Sequence, residues 1–366
     1  MSKKGVAIIG CGFISEAYFN TFKMFDFVEV RACTDLMPEL ATQQALKYGT
    51  RASSQKEILA SEDIDIVVNL TPPLAHYDIN LAAMRAGKHV YSEKPMAVDL
   101  KEARHLIREA DRCGVTFCSA TDTFLGGGHQ ETRQLLDSGI IGAPVAATAH
   151  MLSPGHERWH PSPSFFYQRG AGPLLDLGPY YVTNLIHLFG PVRRVSGMSK
   201  TTRKERLIEN GPRRGKTISV DVPTHIIGLL EFYDGTLVNI ATSFDVQCHK
   251  HQKLEIYGLE GSIIPPDPNI FGGINEVIIK GEEEWTEHEP SFTYTEGNLR
   301  GLGATDLAYS LQNGLCPRTN GDLPLHALEV MCAIEEAART SSYIDIETTC
   351  ERPRPVLPGL SLGEWG

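Results

Sequence analysis

Val6-Ala7-Ile8-Ile9-Gly10-Cys11-Gly12-Phe13-Ile14-Ser15 is the stretch on which the fold turns. Four consecutive apolar residues predict a buried strand. Two glycines, two apart, follow at once and open a helix. The first permits a tight turn; the second lets a ligand approach the backbone, where free N–H groups and the helix dipole would bind a pyrophosphate. Gly10, Gly12, Phe13 and Ile14 are therefore expected to cradle a dinucleotide, although Ser15 stands where the fingerprint has its third glycine. So short a pattern is weak alone; its place between a strand and a helix carries the reading. Asp35 ends the next apolar run, where a carboxylate would accept hydrogen bonds from a ribose and repel a 2′-phosphate. No Arg or Lys stands in Leu36-Met37-Pro38, so NAD is expected ahead of NADP. Asp35 could also cap the helix opening at Pro38.

Outward from this stretch, strands at Val28–Thr34, Ile64–Leu70, His89–Tyr91 and Thr116–Ser119 alternate with helical patterns such as Met37–Tyr48 and Leu100–Cys113. Such alternation implies parallel pairing by right-handed crossovers, an α/β doubly wound sheet. After about Asp122 the pattern changes. Gln130–Ser138 reads as a helix and Val145–Met151 as a strand. His225–Phe232 and Thr236–Ser243 flank Tyr233-Asp234-Gly235, a hairpin signal. Leu254–Tyr257 and Val277–Lys280 read as further strands, before an amphipathic helix at Leu325–Ala338. A mostly antiparallel α+β second domain is expected, with units 1–123 and 124–366 joined near Asp122–Gly128, where three glycines loosen the chain. The Pro-rich end, Arg352–Gly366, reads as an extended tail.

At 366 residues two domains are the natural division. A net charge of -11 without a dominant basic cluster argues against a nucleic-acid partner. The sharpest basic run, Arg213-Arg214-Gly215-Lys216, reads as a solvated loop. No apolar run reaches the roughly 18 residues of a membrane span, and the first apolar segment is too short for an export signal. Eight cysteines without a C-x-x-C pair suit reduced thiols in the cytoplasm.

Thr71-Pro72, His76, Ala86-Gly87-Lys88-His89-Val90 and Glu93-Lys94-Pro95 resemble the first half of the glucose–fructose oxidoreductase/inositol dehydrogenase family, Gfo/Idh/MocA. Gly172-Pro173-Leu174-Leu175-Asp176-Leu177-Gly178 resembles that family's second signature. The resemblance runs over nearly the whole chain. It implies a Rossmann domain followed by an open sheet that pairs subunits into a homodimer or homotetramer. It also implies an NAD(P)-dependent oxidoreductase acting on sugars, polyols or inositols, with Thr71, Pro72, His76, Glu93 and Lys94 at the cofactor.

Lys94 follows a strand at the carboxyl edge where open α/β sheets bind ligands. The resemblance assigns the matching lysine to the substrate oxygen, and Pro95 is a candidate cis proline. Asp176, Tyr180, Asn184 and His187 form a polar stripe on an apolar helix, which should face solvent or a wet cleft. Pro179 places the start of that helix around Asp176–Leu177, since proline is tolerated only near the first turn. Many family members carry His where this chain has Tyr180. A phenol is a poor base at neutrality (its ordinary pKa is about 10), but a neighbouring ammonium would favour phenolate. Lys94, Asp176 and Tyr180 are thus the candidate catalytic set, with Tyr180 exchanging the hydroxyl proton. Trp159, His160 and Tyr167, from a Pro-rich loop, and Asp122, with His129 nearby, are further candidates to line a sugar site.

His156-Glu157-Arg158-Trp159-His160 matches the H-E-x-x-H zinc pattern, but prolines on both sides deny it the helix that chemistry needs. His249 and His251, two apart on a presumed strand edge, make no metal site by themselves, and no metal is expected. Two other readings stay open at this point: a dinucleotide-binding sensor or assembly protein without turnover, and an oxidation–elimination–reduction cycle. The direction of hydride transfer and the particular sugar are open too.

Overall fold

The computed structural model describes residues 3–366. In the first unit, strands β1 (Lys4–Ile9), β2 (Val28–Thr34), β3 (Arg51–Ala52), β4 (Ile66–Asn69), β5 (His89–Ser92) and β6 (Phe117–Ser119) form one sheet in the order β3-β2-β1-β4-β5-β6. All its pairings are parallel. Helices α1 (Ser15–Phe22), α2 (Pro38–Tyr48), α3 (Gln55–Ala60), α4 (Pro73–Arg85) and α5 (Leu100–Cys113) make the crossovers. Val6, Ile8, Ile66, Val67, Val68 and Val90 are wholly buried, as continuous apolar strands covered on both faces must be. The strand order reverses direction at β1, so the ends of β1 and β4 open a crevice where such sheets take ligands.

The second unit contributes α6 (Gly127–Asp137), β7 (Pro144–Leu152), α7 (Pro173–Phe189), β8 (Val192–Lys200), a small hairpin of β9 (Glu205–Leu207) and β10 (Thr217–Ser219), then β11 (His225–Phe232) and β12 (Leu237–Ser243). Strands β13 (Leu254–Gly258), β14 (Gly261–Ile264), β15 (Asn275–Ile279) and β16 (Thr286–His288) follow, then α8 (Leu302–Asn313), α9 (Asp322–Thr340) and β17 (Ile344–Asp345). Nine strands form one sheet, β16-β15-β14-β13-β7-β12-β11-β8-β17. It is antiparallel except for β7 and β12, which run parallel, so the sheet is mixed. One face packs on α7 and α9. The other leaves Val145, Met198, Ile227, Leu229 and Leu237 exposed on strands that pair with one another.

Four expectations are corrected. The Gly126-Gly127-Gly128 segment is buried against Phe271, Gly272 and Thr293, with no room for a Cβ at any of the three, so it is a tight junction and not a loosening. Helix α7 begins at Pro173, which places Pro179 inside it. The polar stripe does not all face a cleft: Asn184 and His187 are 1% and 0% exposed, beside His129 and Gln130 in the core. Finally, the C-terminal segment is a docked strap. Arg318, paired with buried Asp306, donates to the carbonyls of Arg354, Pro355 and Gly366, and the Trp365 indole donates to Asp306 at 2.9 Å. The Trp365 ring also meets Phe25, tying the strap to the first unit. Helix α8 returns to the first sheet as well, packing on β5, β6 and α1.

Candidate active site

The turn after β1 is built as a cradle. Gly10 has φ 102°, and a Cβ there would lie 2.8 Å from the Leu70 backbone. Only glycine fits so close a passage at that φ. Gly12 has nothing within 4 Å of the corresponding position. Among the described residues, no protein acceptor meets the amides of Gly12, Phe13 and Ile14 at the mouth of α1. Such open donors suit a pyrophosphate. Asp35 braces the turn, accepting from Cys11 N at 2.7 Å and Met37 N at 2.9 Å. Each carboxylate oxygen keeps a second lone pair for a ribose hydroxyl. Phe13 and Leu36 are 99% and 100% exposed, and Leu74 is nearly so. These apolar surfaces stand at the ends of adjacent strands, where a bound base and ribose would cover them. The residues fit a dinucleotide.

Thr71 follows β4, its hydroxyl donating to Asn69 Oδ1 at 2.7 Å. Pro72 is exposed beside it. His76, expected at the cofactor, is instead fully buried. Its ring nitrogens lie 2.7 Å from the carbonyls of Thr71 and Pro95, so it pins together the two loops that edge the crevice. Glu93 follows β5, bonded through Tyr18 Oη at 2.9 Å, and Lys94–Pro95 is a cis peptide.

Lys94 reaches across to α7. Its Nζ donates to Asp176 Oδ1 at 3.0 Å and to the Asp176 carbonyl at 2.6 Å. Asp176 lies in the first turn of α7, where the helix dipole favours an anion. Pro179 has no N–H to offer the Leu175 carbonyl, and Lys94 takes the carbonyl of the following residue. On its other oxygen Asp176 meets His156 Nε2 at 3.2 Å. Burial alone would raise the Asp176 carboxyl, but the Lys94 charge and the His156 hydrogen bond hold it at about 2. Burial likewise works against the Lys94 ammonium, yet the charges of Asp176, Tyr180 and Glu93 raise its pKa above the ordinary lysine value. The pair is therefore ionised at neutral pH. Tyr180 lies one helical turn on, its ring centroid 5.4 Å from Lys94 Nζ and 5.4 Å from the Arg300 guanidinium. Arg300 Nη2 donates to Tyr180 Oη at 3.2 Å. Two cations thus flank one phenol ring.

Of the further candidates, Trp159 and His160 sit at this site's rim. Trp159 is 58% exposed and edge-on to His156, with ring centroids 5.3 Å apart. His160 packs edge-on to Trp159 and Phe166. Burial holds its pKa below the ordinary histidine value, against the opposing pull of the Asp176 charge. Tyr167 and Asp122 are inside the protein. Tyr167 Oη donates to Glu157 and accepts from His156 N, so it shapes the loop from beneath. Asp122 accepts from the amides of Gly301 and Gly303 at 2.9 and 3.0 Å, which anchors the segment carrying Arg300. His129 is buried in the same interior, bonded to Ile270 O and Asn184. Glu157 of the H-E-x-x-H stretch is held by Arg206 at 2.5 Å. His249 and His251 lie in a loop, His251 stacked on His150. Sequence reading missed His156 and Arg300. The first was seen only as part of a zinc pattern; the second carries no local signal, lying 120 residues from its partner tyrosine.

A dinucleotide cradle set opposite a lysine–aspartate–tyrosine cluster defines a two-domain NAD-linked oxidoreductase. The chain belongs to the Gfo/Idh/MocA family: residues 4–121 match its oxidoreductase family NAD-binding Rossmann fold and 129–264 its C-terminal domain. It is 24% identical over 305 residues to 1,5-anhydro-D-fructose reductase of Ensifer adhaerens, covering 82% of this chain and 85% of that one. It is 26% identical over 262 residues to D-glucoside 3-dehydrogenase of Escherichia coli, covering 69% and 73%. A solved levoglucosan dehydrogenase, in complex with NADH and levoglucosan, superposes with a TM-score of 0.80 at 20% identity, covering 95% of this chain and all of that one. Among the described residues no helix is long and apolar enough to cross a membrane.

Proposed function

We propose that this oxidoreductase moves a hydride between NAD and a hydroxyl-bearing carbon of a sugar or polyol, using Tyr180 as the proton-exchanging group. The observation that carries the proposal is the single Lys94 ammonium, bonded to Asp176 and set against the Tyr180 ring at the crevice edge. Bound NAD supplies the hydride acceptor. Lys94 holds the substrate oxygen, and its charge with that of Arg300 favours departure of the hydroxyl proton to Tyr180 Oη. Asp176 keeps Lys94 charged and aimed, and His156 fixes the second oxygen of Asp176. Trp159 and His160 form the outer wall, where an aromatic surface suits the apolar face of a sugar ring. Thr71, Pro72, Glu93 and the turn around Gly12 hold the cofactor, with Asp35 selecting NAD. Relatives named as acting on anhydrofructose and on glucosides support this substrate class.

In this reading, units 1–123 and 124–366 divide the work between cofactor and substrate. Val145, Ile227 and Leu229 on the open sheet face join two copies into a homodimer or a larger homo-oligomer, and eight free cysteines suit the cytoplasm. The test is NADH formation from NAD with a panel of sugars, glycosides and inositols. Turnover of at least one supports the proposal. NADH binding with no turnover across a broad panel would remove it.

A further inference from the structure

The guanidinium of Arg300 has three protein acceptors, and all are neutral: Tyr180 Oη at 3.2 Å, Asn269 Oδ1 at 2.7 Å and Asn298 Oδ1 at 3.0 Å. Among the described residues it makes no ion pair. Among the described residues, the three buried arginines are treated differently. Arg206 sits between Glu157 and Asp245, Arg318 against Asp306, and Arg133 against Asp137. Glu93 and Asp122 act on Arg300 from a distance, with Tyr18 on one oxygen of Glu93 and the Gly301 and Gly303 amides on one oxygen of Asp122. Lys94 and Asp176 cancel each other. Arg300 thus has only neutral direct partners, with the Asp122 and Glu93 charges acting on it across space, and its guanidinium can take a further acceptor at the reacting end of the cleft.

The rim repeats the pattern. In a chain of net charge -11, the loop 153–172 and the hairpin loop 208–216 carry the exposed cations Arg158, Arg169, Arg213, Arg214 and Lys216. None of these makes an ion pair among the described residues. Their own acidic residues are Glu157, paired with an Arg206 that Asp245 shares, and exposed Glu209. The basic run is no free loop, because its hairpin is fastened to the site. Asn210 donates to the Trp159 carbonyl at 2.7 Å and Arg213 to Ser164 Oγ at 2.9 Å. Trp159 in turn packs on His156, which bonds Asp176.

We infer that the substrate is an anionic sugar, bearing a carboxylate or a phosphate that Arg300 meets beside Tyr180 and that the rim cations steer inward. A planar guanidinium with free N–H groups pairs with either anion, and exposed like charges around a cleft raise the rate of encounter with the opposite sign. This rests on the dehydrogenase reading above. The test compares neutral sugars with their uronic acids and their phosphates, in matched sets, as substrates for NAD reduction at about 20 and about 200 mM salt. The expected result is a kcat/KM at least about tenfold higher for an anionic member, falling several-fold with salt, while the neutral member is indifferent to salt. Whichever acid is preferred identifies the anion as carboxylate or phosphate. Arg300→Gln collapses the anionic-to-neutral ratio, and the double change Arg213→Ser, Arg214→Ser flattens the salt dependence. Neutral sugars used as well as either acid, without salt dependence, would overturn the inference. If no sugar is turned over, the dehydrogenase reading fails by itself, and anion recognition is read separately. Glucuronate or inorganic phosphate should then raise the melting temperature of the NADH-bound protein, and less so in Arg300→Gln; no shift in the wild type overturns it.

Discussion

Asp176 binds Lys94 with one oxygen and His156 with the other, and that bidentate position shapes what individual substitutions will do. Its carboxyl is held at about 2, so neither it nor Lys94 changes charge between pH 5 and 9, and pH dependence of activity in that range must come from another group. Tyr180→Phe removes only the oxygen that meets Arg300, in a side chain already buried. Its kcat should fall by roughly 10²- to 10⁴-fold, the usual worth of a positioned acid–base group, with NADH affinity unchanged in a fluorescence titration. A variant with near-normal kcat would show that the proton leaves by another route. Lys94 was legible from its motif and Tyr180 from its spacing to Asp176. His156 and Arg300 were not, since their roles exist only once loop and helix meet.

Among the elements, the turn after β1 separates two glycines by physical requirement. Gly10→Ala forces a Cβ into the Leu70 backbone at a φ of 102°, so the fold itself should suffer, with a drop in melting temperature. Gly12→Ala meets nothing within 4 Å, so stability should hold while NADH affinity weakens by about tenfold or more, read by titration. Equal loss of stability in both would mean that the second glycine serves packing and not the cofactor. Helix α7 shows where sequence rules mislead. Pro179 was expected in its first turn with a start around Asp176–Leu177, yet the helix starts three to four residues earlier, with Pro173 in that role and Pro179 within. The interior proline is tolerated because neighbouring groups reach the loosened turn, Lys94 among them.

Over the whole molecule, buried histidines set the acid limit of stability. His129 and His326 are fully buried in hydrogen-bond settings that suit neutral rings. Burial lowers each to about 4, against an unfolded value of about 6.5. The unfolded chain therefore binds more protons than the folded one between these limits, and stability must fall as pH drops from about 6.5 toward 4. Each contributes up to roughly 3 kcal/mol of that loss at pH 4. Urea midpoints at pH 7 and pH 5 should show the decline; a flat profile would contradict the buried neutral state. The strap ending at Trp365 is a second whole-molecule device, since it joins Phe25 of the first unit to Asp306 and Arg318 of the second. Trp365→Ala should cost about 3–5 kcal/mol by denaturant titration, and a loss under about 1 kcal/mol would show the strap to be ornamental to folding.

The alternation of strand and helix, the glycine turn after β1, the hairpin around Asp234 and the choice of Lys94, Asp176 and Tyr180 as the proposed set were all read from the sequence alone. Each depends on residues close together along the chain, whose periodicity and backbone freedom act locally. Tertiary structure alone decided which members of the α7 stripe see the cleft and which are enclosed. It alone docked the C-terminal segment, set His156 on Asp176, and brought Arg300 across 120 residues to Tyr180. Burial and charge pairing depend on what lies opposite in space, and no local pattern encodes that.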